Sequence, residues 1–159
     1  MNPALKTFPT TKFIGKNLSF TYADYRAFKL WSSFMPQRKD IQNIIGSELY
    51  NIQINPENFD FQPNTTFTKW AAVDVSSFDF IPDGMETFEI NEGLYAVFNY
   101  KGDQSNAASF FNFIYTEWLP SSEYKLDNRP QFEILEEKYK NNDPNSEEEI
   151  WIPVKLRNR

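Results

Sequence analysis

The sequence contains no cysteine and no histidine in 159 residues. The first absence excludes disulfides, zinc thiolate sites and thiol nucleophiles. The second removes Ser-His-Asp and Cys-His catalytic arrangements, the commonest metal ligand and histidine-ligated haem. No apolar run approaches the length needed to cross a bilayer, and the first twenty residues lack the apolar core of a secretory signal. A cytoplasmic protein with no membrane association is therefore expected, and the sequons Asn17-Leu18-Ser19 and Asn64-Thr65-Thr66 read as accidental. Positive charge is short as well: 16 Lys and Arg against 22 Asp and Glu leave a net charge of -6. That balance opposes the basic stripe a phosphate backbone requires, so nucleic acid is not an expected direct partner. The polar segment from Asn141 to Glu147 lacks the acidic spacing and the glycine of a calcium loop, and it reads as a solvated linker. Neither a metal nor a cofactor is expected.

Aromatic residues are abundant, at 18% of the chain, with sixteen Phe, eight Tyr and four Trp. This exceeds what a core of this size needs. Most single rings are expected in the interior, and some are expected to line a cavity. The length suits one domain spanning residues 1–159.

The hydrophobic periodicity gives an α+β order of elements. A strand is predicted around Phe13 to Thr21, then a helix from about Asp24 to Met35 stopped by Pro36, with Ala27, Leu30, Trp31, Phe34 and Met35 on one arc. Strands are predicted at Leu49 to Ile54 and Phe67 to Val75, and Phe78 to Gly84 reads as a connector. The same order then returns: strands from Glu86 to Tyr100, a helix from about Asn106 to Leu119, and strands at Phe132 to Leu135 and Glu149 to Leu156. Met35-Pro36 aligns with Leu119-Pro120, Phe34 with Trp118 and Trp31 with Tyr115, at a constant offset of 84 residues. The chain thus reads as a duplicated strand-helix-strand-strand unit, with halves at about 12–77 and 85–156. Two such halves related by a pseudo-twofold axis would form an antiparallel sheet with both helices on one face and a ligand pocket at the axis.

Strand alternation places Phe132 and Ile134 on one face, with Glu133 on the other, and separates Ile150, Ile152 and Val154 from Trp151. If the aliphatic sets pack beneath the helices, Glu133 and Trp151 share the free face, with Tyr50, Trp70 or Tyr95 near them. A carboxylate beside such rings suits an apolar cation through charge pairing and cation-π contact. The alternative is a surface glutamate on a half-exposed strand. Glu117 falls within the apolar arc of the second helix, where it would need a hydrogen-bond donor or lie at the edge of the arc; contact with a ligand is the lesser reading. The run Glu147-Glu148-Glu149 reads as charged surface.

The ordered set Phe113-Ile114-Tyr115-Thr116-Glu117-Trp118-Leu119-Pro120, Arg129-Pro130-Gln131-Phe132-Glu133-Ile134-Leu135 and Glu149-Ile150-Trp151-Ile152-Pro153-Val154 resembles the gyrase-inhibitor-like, AraC-type effector-binding family. Thr68 to Val75, Gly84-Met85 and Gly93 to Gly102 fit the same pattern, so the resemblance runs from about Lys12 to Leu156. It implies a small-molecule-binding module in which the acidic residue at the Phe-Glu position, here Glu133, sits in an aromatic pocket for lipophilic cations. Some members hydrolyse small electrophilic compounds with a pocket glutamate, and the gyrase inhibitors act through a protein partner. Binding is the expected function; hydrolysis with Glu133 as general base and protein-binding regulation are its alternatives.

Overall fold

The computed structural model describes residues 2–102, 107–135 and 147–157. Nine strands, β1 (Ala4–Phe8), β2 (Thr11–Phe20), β3 (Leu49–Ile54), β4 (Phe67–Val75), β5 (Glu86–Ile90), β6 (Gly93–Lys101), β7 (Tyr124–Leu126), β8 (Gln131–Leu135) and β9 (Glu147–Leu156), pair antiparallel throughout. The main strand order is β1-β6-β9-β8-β3-β4-β2-β5, with β7 added on β9. The order is palindromic in kind. Each half contributes a strand (β2 or β6) that leads into a helix, and a following pair (β3-β4 or β8-β9). The two halves meet where β3 pairs with β8.

The end strands are exchanged between halves. β1 leads into β2 through Pro9-Thr10 yet pairs with β6, and β5 leads into β6 through Asn91-Glu92 yet pairs with β2. One register runs through both pairings, from Phe8↔Gly93 to Thr11↔Ile90, and the Glu92 backbone N–H donates to the Thr10 hydroxyl at 3.0 Å where the strands bend. Because these bent strands join the two ends of the strand order, the sheet curls around one face. That face is filled by Phe8, Phe13, Tyr50, Ile52, Trp70, Tyr95, Phe132, Ile134 and Trp151, drawn from strands of both halves. β1 was not expected from the sequence, since its Ala4-Leu5-Lys6-Thr7 stretch is exposed and carries no clear alternation.

Both helices lie on the outer face. Helix α1 (Ala27–Phe34) buries Leu30 and Phe34 against Ile14, Ala71 and Val73. It ends before the proline, and Met35–Asp40 continues as a 3-10 turn with Pro36 in its first positions, where the missing N–H costs nothing. Met35, expected on the buried arc, is turned out by that change of pitch and is 42% exposed. Helix α2 (Ala107–Phe113) runs on through a π-helical turn at Ile114–Trp118 and a closing turn at Leu119–Ser121. The helix, expected to end at Leu119, runs two residues further, and Pro120 sits inside its last turn. A proline there supplies no N–H to the turn below and crowds its carbonyls, and the chain widens instead: the Leu119 N–H bonds to Ile114 O, five residues back. The Ser121 hydroxyl donates to Glu117 O at 2.8 Å, which serves a carbonyl near the proline. Ile114, Leu119 and Trp118 pack on Ala96, Phe98, Ile150 and Ile152. The expected linker at Asn141 to Ser146, and the start of the second helix at Asn106, lie outside the described residues.

Candidate functional site

Where β3 meets β8, no helix among the described residues covers the outer face, and a cleft of about 630 Å³ opens. Register fixes its floor. Asn51 pairs with Glu133 and with Ala71, Gln53 pairs with Gln131 and with Lys69, and Glu133 pairs with Ile150, two positions from Glu148. Opposite residues in a ladder point to the same face. Asn51, Gln53, Lys69, Gln131, Glu133 and Glu148 therefore form a polar patch at the pseudo-twofold, between the apolar areas under α1 and α2. The walls are aromatic: Tyr22 and Tyr25 from the segment before α1, Phe61 from the β3–β4 connection, and Phe111 and Tyr115 from α2. The π-helical turn presents Tyr115 and Thr116 to the cleft while Ile114 and Leu119 stay in the core.

Part of the polar floor is held by hydrogen bonds, while Asn51 Oδ1 and Glu148 Oε2 are buried with no partner among the described residues. Tyr115 donates to Gln131 Oε1 at 2.6 Å, and the Gln53 amide donates to the Tyr22 hydroxyl at 3.2 Å and to Asn55 Oδ1 at 2.8 Å. Phe61 packs on Tyr115 with ring centroids 4.9 Å apart, which ties one wall to the other. Lys69 is buried at 5% exposure, with its Nζ 5.7 Å from the Tyr25 ring centroid. Burial disfavours its charge, but Tyr25 and Glu133 outweigh that effect, and its pKa lies above the ordinary lysine value. Lys69 is thus a charged group in the floor.

Glu148 is buried too, at 8% exposure, so the acidic run 147–149 is not simply charged surface. Burial, and then the adjacent Glu133 carboxylate, push its pKa well above the glutamate range, although Lys69 opposes the shift. With an ionised carboxyl, Glu148 Oε2 would have no hydrogen-bond donor. The Glu133 carboxylate beside it favours the protonated form, which carries no charge into this buried position. Above the ordinary glutamate value of 4.5 the unfolded chain loses a proton that the folded chain keeps, so stability falls as pH rises. The slope from this group is up to about 1.4 kcal/mol per pH unit. Glu148→Gln is expected to remove it, seen as a flatter dependence of Tm on pH in thermal unfolding. An unchanged slope would place the shifted group elsewhere.

Of the residues expected at the site, Glu133 lines the cleft. Trp151, Trp70, Tyr95 and Tyr50 do not join it there; they pack together on the opposite face, inside the curl, at 8%, 7%, 0% and 7% exposure. The expectation that Glu133 and Trp151 share a face fails on register. Trp151 pairs with Phe132 and Ile150 with Glu133, so the Phe132-Ile134 set and the Ile150-Ile152 set point to opposite faces instead of packing together under the helices. Glu117 is exposed on the π-helical turn and lies outside the cleft, in line with the edge-of-arc reading. Lys69 and Glu148 were missed, although each carries a signal. Phe67-Lys69-Ala71-Val73 and Glu148-Ile150-Ile152-Val154 are alternating apolar sets, each with one charge. A lone charge in such a set marks either a strand end or a polar site cut into a buried face.

The comparisons with known proteins agree with this geometry. Residues 1–155 match the model of the GyrI-like small-molecule-binding domain. The transcriptional regulator BrlR of Pseudomonas aeruginosa is 29% identical over 128 residues, a match that covers 79% of this chain and 45% of the regulator. The chain thus spans less than half the length of that relative. Among solved structures, the C-terminal domain of EcmrR superposes with a TM-score of 0.73 at 14% identity, covering 96% of each chain. SAV2435, solved bound to tetraphenylphosphonium, superposes with a TM-score of 0.69 at 16% identity, covering 98% of this chain and 94% of that one. A curled antiparallel sheet of two alike halves, two helices on its outer face and a polar-floored aromatic cleft between them accord with that match, and the chain belongs to the GyrI-like family of small-molecule-binding domains.

Proposed function

We propose that the chain binds lipophilic monocations in the cleft, with Glu133 as the charge partner and the Tyr22, Tyr25, Phe61, Phe111 and Tyr115 rings as the apolar walls. The observation that carries this reading is the position of Glu133, half-buried at the centre of the cleft floor and ringed by aromatic side chains. A carboxylate in such a setting attracts a cation more strongly than one in water does, and the faces of the rings add cation-π attraction. A poorly hydrated cation loses little by leaving solvent, whereas a small, strongly hydrated one loses much. The tetraphenylphosphonium bound to SAV2435, a protein of the same fold, supports the same ligand class.

Calorimetric titration with tetraphenylphosphonium and with neutral triphenylphosphine oxide tests the reading. The phosphonium is expected to bind at least tenfold tighter, which corresponds to about 1.4 kcal/mol. Phe61→Ala removes wall area and no charge, and it should weaken both compounds by a similar, severalfold factor. Equal affinity for the two compounds, or no binding of either, would refute the assignment.

A further inference from the structure

Recognition by Glu133 alone leaves two buried ionisable groups of the floor unused. Glu148 points into the cleft from β9, is 8% exposed, and as a carboxylate has an Oε2 without a donor. Lys69 points into the same floor from β4 at 5% exposure, and among the described residues no carboxylate oxygen lies within ion-pair distance of it. Among the described residues, the other titratable groups facing this pair are Tyr22 and Tyr25 before α1, Tyr115 on the π-helical turn, and Tyr100, the register partner of Glu148 on β6. With a proton on Glu148, the described residues of the floor hold one cation, Lys69, and one anion, Glu133, and are neutral together. A monocation entering that floor unchanged would leave one positive charge uncompensated beside the buried Lys69 and Glu148, which is costly. Ionisation of Glu148 restores neutrality and supplies a second carboxylate.

We infer that the cleft exchanges a proton for its ligand: a lipophilic monocation docking against Glu133 displaces the proton that Glu148 shares with it. The inference rests on the reading of the cleft as a cation site. The O–H bond of Glu148 breaks, the proton passes to water or buffer, and no other bond changes. The occupied floor then carries Lys69 and the ligand against Glu133 and Glu148, two charges of each sign. Because the occupied protein holds fewer protons than the free one, higher pH favours binding, by up to ~10-fold per pH unit when a full proton is released. Protons and cations thus compete for one site, and acidification ejects the ligand. A neutral ligand in the same cleft has no reason to show this dependence.

The test is calorimetry with tetraphenylphosphonium, which carries no titratable group, in two buffers of equal pH and different ionisation enthalpy. The wild-type chain is expected to release close to one proton per ligand, with affinity tightening as pH rises between about 6 and 8. Glu148→Gln should release none and bind with a flat pH profile while still preferring the phosphonium over triphenylphosphine oxide. The buffer comparison on wild type needs no variant, so it stands even if Glu148→Gln folds poorly. Tight phosphonium binding without proton release would overturn the exchange and leave the cation site in place. Absence of phosphonium binding would overturn both.

Discussion

Trp151→Ala is expected to destabilise the fold by about 3–5 kcal/mol, the range for truncating a buried tryptophan. Trp151 stacks on Phe132 with centroids 5.4 Å apart and packs edge-on against Phe8 and Tyr95. Its truncation would open a void between strands held in place by ladder hydrogen bonds, so the site can collapse only in part. A second loss is smaller: the indole N–H donates to Glu149 Oε1 at 3.1 Å. Trp151→Phe keeps a ring in the stack and should cost much less. Urea unfolding of the three proteins measures the effect as a shift in midpoint at nearly constant slope. Folded Trp151→Phe should bind a cleft ligand as the wild type does, because Trp151 stands on the other face of the sheet. A small stability loss together with a large loss of binding would mean that the ring serves the ligand instead of the core.

That contrast shows where the sequence was legible. The strands β4, β6 and β9 and the two aromatic helices were readable as apolar segments bounded by polar, turn-forming ones, and the repeat of the whole unit gave the pairing of halves. Glu133 stood out for the same reason, as a charge between Phe132 and Ile134 on a short strand, reinforced by the family pattern around it. Which face was outside was not readable. Alternation sorts residues within one strand, and only register relates one strand to the next. The sets Phe132-Ile134 and Ile150-Ile152 are both apolar, and no local feature says that β8 and β9 align them on opposite sides. The exchange of β1 and β5 between halves was hidden too, because the bends at Pro9-Thr10 and Asn91-Glu92 look like ordinary turns. That exchange curls the sheet and makes its inner face a core, which moves four of the expected site aromatics away from the cleft. The walls that replaced them, Tyr22, Tyr25 and Phe61, come from connecting segments whose course depends on long-range packing. Lys69 and Glu148 were masked by composition: one lysine beside tryptophan and one glutamate within a run of three look like ordinary strand surface.

In the proposed reading, a carboxylate at the pseudo-twofold gives the cleft its preference for cations. Glu133→Gln keeps the shape of the side chain and removes its charge. Two unit charges near 4 Å at an effective dielectric of about 20 attract by roughly 4 kcal/mol before desolvation, so a net loss of about 1–3 kcal/mol is expected for a cation. The partners of Glu133 shift as well, since Lys69 then lacks its nearest source of charge compensation apart from Glu148, and Glu148 is expected to ionise more readily. That response returns part of the lost attraction, which keeps the expected effect below the full Coulomb figure. The measurement is the ratio of Kd values for tetraphenylphosphonium and triphenylphosphine oxide on the wild-type chain and on Glu133→Gln, with circular dichroism to confirm that both are folded. A fall of about 10- to 100-fold in phosphonium affinity is expected, with triphenylphosphine oxide nearly unchanged. A folded Glu133→Gln that keeps the wild-type preference for the cation would contradict it.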